Sequence, residues 1–295
     1  MGAETGVEER HVLGRPVTYS IGLWGIRYFP RSIAYMLAER VADISYLVYK
    51  KARRNVMMNL RMVLPEAPSG RISSLALSTF RNYSRYLIDY GRFKVLDRES
   101  LSTEMVYVEG TKNIETALER GNGLILLTAH LGNWEFGGIF FGRQDIKINV
   151  LTVHDEMEQT DVIRERYRKN HNINTITLGD SPFAGIEVIN ALNNNEVVAM
   201  LVDRSVKDGL EVPFFGRTIK FPSGPLRLAG ATGAPIVPAF VVKEKDGYRA
   251  VAEKLIFFDK EAGDTPENAA RSVVEVFERY IRRYPDQWFN FVPIG

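Results

Sequence analysis

His130 and Glu135 stand five positions apart in GLILLTAHLGNWEFGG, residues 123–138. An imidazole steadied by a carboxylate suits general-base chemistry, in which one ring nitrogen stays protonated while the other takes a proton from a weak acid such as a hydroxyl. On a continuous helix the two side chains would sit about 140° apart around the axis. Their pairing therefore requires His130 on a loop and a helix that begins near Asn133, a residue suited to an N-cap, with Glu135 in the first turn reaching back to the ring. The LILLT run ahead of the histidine reads as a central strand covered on both faces. His130 then falls at the C-terminal edge, where open α/β sheets bind their ligands. Gly132, Gly137 and Gly138 allow backbone or substrate to come close. The competing assignment is a capping histidine beside an unrelated surface glutamate. No Gly-x-Ser-x-Gly turn and no cysteine supplies an enzyme nucleophile, which favours direct attack by one substrate on another.

The elements that must position this pair follow from periodicity. From Met105 onward, short β-rich runs (MVYV, LILLT, INVLTV, NTITL, VVAMLVD, PIVPAFVV, YRAVAEKLIFF) alternate with helical stretches at Thr111 to Arg120, Met157 to Lys169, Pro182 to Asn193 and Thr265 to Arg283. This is the pattern of an α/β fold with a mixed central sheet and flanking helices, the last two strands joined by the short KEKDG turn. Residues 1–100 differ: they form a helical N-terminal region, with Ser69 placed to cap a helix running to about Tyr90. Residues 101–295 form the α/β body, and the two regions read as one continuous structural unit.

The front region is basic, with 16 Lys+Arg against 9 Asp+Glu in residues 1–100, a net +7 in a chain whose total is +2. It is built to sit near something negative. Ile33, Met36, Leu37, Val41, Ile44, Leu47 and Val48 are spaced for one helical face. Tyr19, Trp24, Tyr28, Phe29, Tyr35, Tyr46 and Tyr49, together with KKARR at Lys50 to Arg54, supply the rings and cations favoured at a lipid surface. The longest uncharged run of residues 1–100, Pro16 to Ile26, is too short to span a bilayer, so an interfacial position is expected. Two ordinary core helices with a solvated basic face are the alternative. The acidic N-terminus reads as uncleaved. The absence of cysteine fits a reducing compartment, and the four histidines lack metal-ligand spacing, so no metal is expected. His11, His154 and His171 read as structural or surface residues.

AHLGNWE resembles the His-x-x-x-x-Glu/Asp motif of glycerolipid acyltransferases. In its fuller form it is similar to the lipid A biosynthesis (lauroyl/myristoyl) acyltransferases and to relatives that acylate phosphatidylinositol mannosides. VAMLVDR at residues 198–204, the segment Val212 to Pro238 (VPFFGRTIKFPSGPLRLAGATGAPIVP), RRNVMMNLRMVLP at Arg53 to Pro65 and YPDQWFNF at Tyr284 to Phe291 carry the resemblance along nearly the whole chain. The tail departs from the lipid A enzymes, which continue past the Trp into a further aromatic and basic string.

The resemblance implies an O-acyltransferase at the cytoplasmic face of the inner membrane, peripheral or monotopic. It would move a fatty chain from an acyl carrier protein or coenzyme A thioester to a hydroxyl of a lipid A precursor or similar glycolipid. No cofactor beyond that co-substrate and no nucleic acid is expected. A phosphatidylinositol mannoside or lysophospholipid acceptor is the alternative, and a thioesterase or lipid hydrolase would use the same pair on water. His130 would be the general base and Glu135 would orient it. Backbone N–H groups of the glycine turn, or Arg166 or Arg168, would face the oxyanion. Arg204, held by Asp203, and Arg217, Lys220 and Arg227 would meet phosphate. Trp134, Phe214 and Phe215 would line an acyl pocket.

Overall fold

The computed structural model describes residues 29–93, 98–142, 146–153, 168, 173–179, 183–258 and 263–294. Tyr19, Trp24, Tyr28, His11, His154, Arg166, His171 and most of the helix expected at Met157 to Lys169 lie outside them.

Helices α1 (Arg31–Val48), α2 (Lys50–Val63) and α3 (Ser69–Phe93) precede a short α4 (Arg98–Glu104). The body follows as β1 (Met105–Glu109), α5 (Thr111–Glu119), β2 (Leu124–Thr128), α6 (Trp134–Gly142), β3 (Ile148–Val153), β4 (Ile173–Leu178), α7 (Ala184–Asn193) and β5 (Val197–Leu201). Then come β6 (Leu210–Phe214), β7 (Arg217–Phe221), α8 (Gly224–Thr232), β8 (Ile236–Lys243), β9 (Tyr248–Ala252) and α9 (Pro266–Arg283), ending in a 3₁₀ turn at Pro285–Gln287. Seven strands form one sheet in the order β1-β9-β8-β2-β5-β3-β4. All neighbours are parallel except β8 and β9, the hairpin closed by the KEKDG segment. The mixed sheet expected from the sequence is therefore present, with β2 at its centre.

Burial explains the order. β8 is buried at every position but its last, and β2 at all but Leu126, so neither strand has a water-facing side to alternate with. The main core gathers Ile125, Leu127, Val198, Ile236, Phe240, Val273 and Phe277 between the sheet and α8 and α9. The hairpin β6–β7 is a separate two-stranded sheet, which the expected run of strands did not include. Its turn has positive φ at Phe215 (49°) and Gly216 (76°), the geometry of a two-residue hairpin loop.

The helical front is fastened to the body by polar contacts. Asn59 Nδ2 donates to the carbonyls of Asn290 (3.0 Å) and Val292 (2.8 Å), and Asn55 Nδ2 to that of Phe291 (3.0 Å). Asp89 of α3 is fully buried and accepts from Tyr35 Oη at 2.5 Å, Lys243 Nζ at 2.6 Å and Tyr248 Oη at 2.5 Å, with Arg31 at 2.9 Å. Four donors around one carboxylate keep the buried charge satisfied. They also lock α1 and α3 to the β8–β9 hairpin.

Among the described residues the opposite side of α1 has no such cover. Met36, Leu37, Val41, Ile44, Leu47 and Val48 are exposed, Leu47 by 63%. The apolar stripe read from the sequence is a helical face on which none of the described residues builds a core. Among the described residues no helix is long and apolar enough to cross a membrane.

Candidate active site

β2 ends at Thr128, and two residues later His130 emerges at the C-terminal edge of the sheet. Its partner is not the one expected. His130 Nδ1 lies 2.6 Å from Asp203 Oδ1, whereas Glu135 is bound bidentately by Arg168, with Nη2 to Oε1 at 2.5 Å and Nε to Oε2 at 3.2 Å. The expectation that Glu135 reaches back to the imidazole is thus corrected. α6 does start at Trp134, and Asn133 Oδ1 accepts from Phe136 N at 3.0 Å as an N-cap should. That frame aims the Glu135 carboxylate at a guanidinium in the protein interior.

Asp203 follows β5, the neighbour of β2, and Val202 N donates to Thr128 O at 3.1 Å, which zips the two strand ends together. Its second oxygen accepts from Trp288 Nε1 at 2.8 Å. Burial alone would raise the pKa of this fully enclosed carboxyl. The facing His130 and the hydrogen bonds from His130 and Trp288 outweigh that, and hold Asp203 below the usual carboxylate range. An ionised Asp203 assigns the proton to Nδ1, leaving Nε2 as the acceptor on a side chain that is 20% exposed. Asp203 therefore orients the ring, and its two oxygens serve His130 and Trp288 rather than Arg204.

Residues 287–289 complete the frame. Phe289 N donates to His130 O at 2.7 Å and Gly132 N to Gln287 O at 2.9 Å. Gly132 has φ +66°, and a Cβ there would meet Val241 O at 2.0 Å, so only glycine fits this approach. The N–H of Asn133 goes to Val241 O at 2.7 Å. The N–H groups of Gly132 and Asn133 are thus committed inside the protein, which removes them as oxyanion donors.

A narrow cavity of about 70 Å³ lies between α6 and the sheet. Thr128, Trp134, Glu135 and Arg168 mark its polar end, and Leu126, Phe141, Val150, Ala199 and Ala239 make it apolar. Trp134 lines this cavity, and its ring lies edge-on to His130 at 5.5 Å and stacks on Tyr86 at 4.9 Å. Phe214 and Phe215 are not where the sequence suggested. They wall the far side of Trp288, 6.1 and 6.3 Å between ring centroids, within the main core. Phe215 N is fixed by Glu278 Oε1 at 2.5 Å, and Arg282 covers the ring.

The remaining cations are dispersed. Arg204, Arg217, Lys220 and Arg227 are exposed, and Lys220 Nζ donates to the backbone oxygen of Lys207 at 3.2 Å. The structure brings His130, Asp203, Trp288, Trp134 and the Glu135–Arg168 pair together, and leaves these four on the surface. Among the described residues no group of three or more His, Asp or Glu side chains could hold a metal.

The arrangement resembles a triad without its nucleophile. The family model described as bacterial lipid A biosynthesis acyltransferase matches residues 12–293. The chain belongs to that family. Similar relatives include a phosphatidylinositol mannoside acyltransferase of Mycolicibacterium smegmatis, 24% identical over 290 residues, which cover 95% of this chain and 92% of the relative. Another is the phosphatidylinositol mannoside acyltransferase of Mycobacterium tuberculosis, 26% identical over 281 residues, 93% of this chain and 86% of the relative. This acyltransferase carries His130 in its HLGNWE segment. Trp288 was not among the expected site residues although it lies in the YPDQWFNF tail, because a lone tryptophan gives no sign of which distant carboxylate it meets.

Proposed function

We propose that this acyltransferase moves a fatty acyl chain from an acyl carrier protein or coenzyme A thioester to a sugar hydroxyl of a phosphatidylinositol mannoside or like glycolipid. The observation that carries the chemistry is the His130–Asp203–Trp288 chain, whose imidazole meets at 5.5 Å the ring of Trp134, a residue that lines the apolar slot. The acceptor class rests on the activity for which the relatives are named. A lipid A precursor is the second reading, favoured by the family's description.

In this mechanism the thioester lies near Trp134 and Arg168 and the acyl chain points toward the slot, whose volume of about 70 Å³ must widen to admit it. His130 Nε2 removes the acceptor's proton as the oxygen attacks the carbonyl carbon. Asp203 stabilises the imidazolium. Arg168, held rigid by Glu135, supplies positive charge for the tetrahedral oxyanion. On collapse the C–S bond breaks and the imidazolium proton passes to the leaving thiolate, so the base returns to its starting state. In this reading Glu135 acts on the reaction through Arg168.

The exposed stripe on α1 and the basic front seat the protein on the cytoplasmic face of the inner membrane as a peripheral, monotopic enzyme. Apolar side chains enter the lipid boundary while cations meet anionic headgroups.

The decisive experiment incubates purified protein with labelled acyl-carrier protein or acyl-coenzyme A and a panel of phosphatidylinositol mannosides, lipid A precursors and lysophospholipids. Labelled mannoside lipid, lost in His130→Ala, is the expected result. Thioester hydrolysis that ignores every added acceptor would replace the transferase reading with a hydrolase.

A further inference from the structure

A second cavity opens on the other side of the catalytic loop, and the reaction chemistry does not use it. Its volume is about 360 Å³, within the range of about 300–1,000 Å³ typical of small-molecule sites. Gly132 and Asn133 form one wall, α3 contributes Asn82, Arg85 and Tyr86, and the far sides come from the β8–β9 connection and the segment that ends at Phe289. Lys243 closes β8 at the same sheet edge where Thr128 closes the parallel strand β2, the edge at which such sheets bind ligands.

The lining indicates what fits. Its cations are largely spoken for: Arg85 is paired with Glu39 at 2.6 Å and Lys243 with Asp89 at 2.6 Å. Glu244 and Asp286 add negative charge to the wall. A phosphate gains little in such balanced surroundings. What remains is the Lys245 ammonium and the Asp286 carboxylate, which Asn82 positions, beside the rings of Tyr86 and Phe289. Alternating hydroxyls met by amides and charges, with C–H faces laid on aromatic rings, is how a polyol is held. Tyr86 stacks on Trp134, whose edge faces His130, so one aromatic wall runs from this cavity to the base.

We infer that the cavity between α3, the β8–β9 connection and residues 286–289 binds a neutral hexose or cyclitol ring of the acceptor and presents its hydroxyl to His130. The inference rests on the acyl-transfer reading and adds the place and chemistry of acceptor recognition. Lys245, exposed at the rim, is a binding residue, and Asn82 is a positioning residue, its Nδ2 donating at 3.1 Å to both the backbone oxygen and Oδ2 of Asp286.

Two measurements on the full chain test it. Saturation-transfer NMR with free methyl hexosides and inositol should show ring-proton signals in the wild type that vanish in Asn82→Ala and weaken in Lys245→Ala; inorganic phosphate should leave them intact. Steady-state kinetics should show a KM for glycolipid acceptor raised about tenfold or more, equivalent to about 1.4 kcal/mol, a larger rise than in the KM for the acyl thioester. Lys245→Ala keeps the test valid if Asn82→Ala fails to fold. An unaltered KM, an equal rise for a lysophospholipid lacking sugar, or displacement by phosphate would overturn the inference and leave acyl transfer standing. A wild type that acylates no hydroxyl acceptor would remove the transfer reading and this inference together.

Discussion

Asp203 and His130, 73 positions apart in the chain, meet at 2.6 Å because their strands are neighbours in the sheet. Asn at position 203 has one acceptor oxygen for two donors, Nδ1–H of His130 and Nε1–H of Trp288, so its amide must face one of them. The imidazole then loses the fixed tautomer that leaves Nε2 free. Asp203→Asn and His130→Ala should each lower acyl transfer by about 10²-fold or more, measured as labelled glycolipid formed under saturating thioester. Retention of near wild-type kcat in Asp203→Asn would transfer the orienting role elsewhere.

The same carboxylate makes stability depend on pH. Its folded pKa is depressed, so the contribution is fully present above the ordinary aspartate value of about 3.9 and disappears as pH falls through the lower folded value. Thermal unfolding of wild type and Asp203→Asn should therefore differ most near neutrality and converge on acidification below about pH 4. A constant gap across that window would contradict the assignment.

Glu135 and Arg168 form a buried bidentate pair with side chains 6% and 9% exposed. Removing one partner strands the other charge, so Arg168→Met should cost about 3–5 kcal/mol of stability. The double variant Glu135→Gln/Arg168→Met should recover much of that loss in denaturant titrations while transfer stays low. Recovery of both would make the pair purely structural.

In the apolar slot, Ala199 lies on the floor beside Leu126, its partner across β2 and β5. Ala199→Val adds two methyl groups to a narrow space. Competition among acyl thioesters of graded length should shift the preferred donor toward shorter chains, at a stability cost of about 1–3 kcal/mol. An unchanged length profile would place the acyl chain outside the slot.

Leu37, Ile44 and Leu47 project from α1 without cover among the described residues. Replacing all three with Ser should release the protein from anionic vesicles in flotation assays, each side chain contributing up to about 1.5–3 kcal/mol if fully buried in lipid. High salt should release the wild type only in part, since cation attraction is one of two contributions. Complete release by salt alone would leave the apolar stripe without a lipid role.

The features legible in sequence are those carried by neighbouring residues. Asn133 as a cap, α6 beginning at Trp134 and β2 as a buried strand each depend on a few adjacent side chains. Asp203 is visible as a site residue, but local spacing assigns its role to Glu135, because a carboxylate five positions away is easier to see than one held by sheet register. The guanidinium that claims Glu135 comes from position 168, and no periodicity announces that meeting. Phe214 and Phe215 look like pocket residues for their size. The alternation of buried and exposed positions in Leu210–Phe214 and Arg217–Phe221, closed by Gly216, marks them instead as a hairpin wall.

The hydrogen bonds from Phe289 to His130 and between Gly132 and Gln287 have a temporal consequence. A nascent chain that has left the ribosome only as far as Arg283 has the base and Asp203, yet lacks both the peptide that braces the histidine loop and the indole that holds the carboxylate. Acylation competence therefore waits for residues 287–289, long after the α1 surface has emerged.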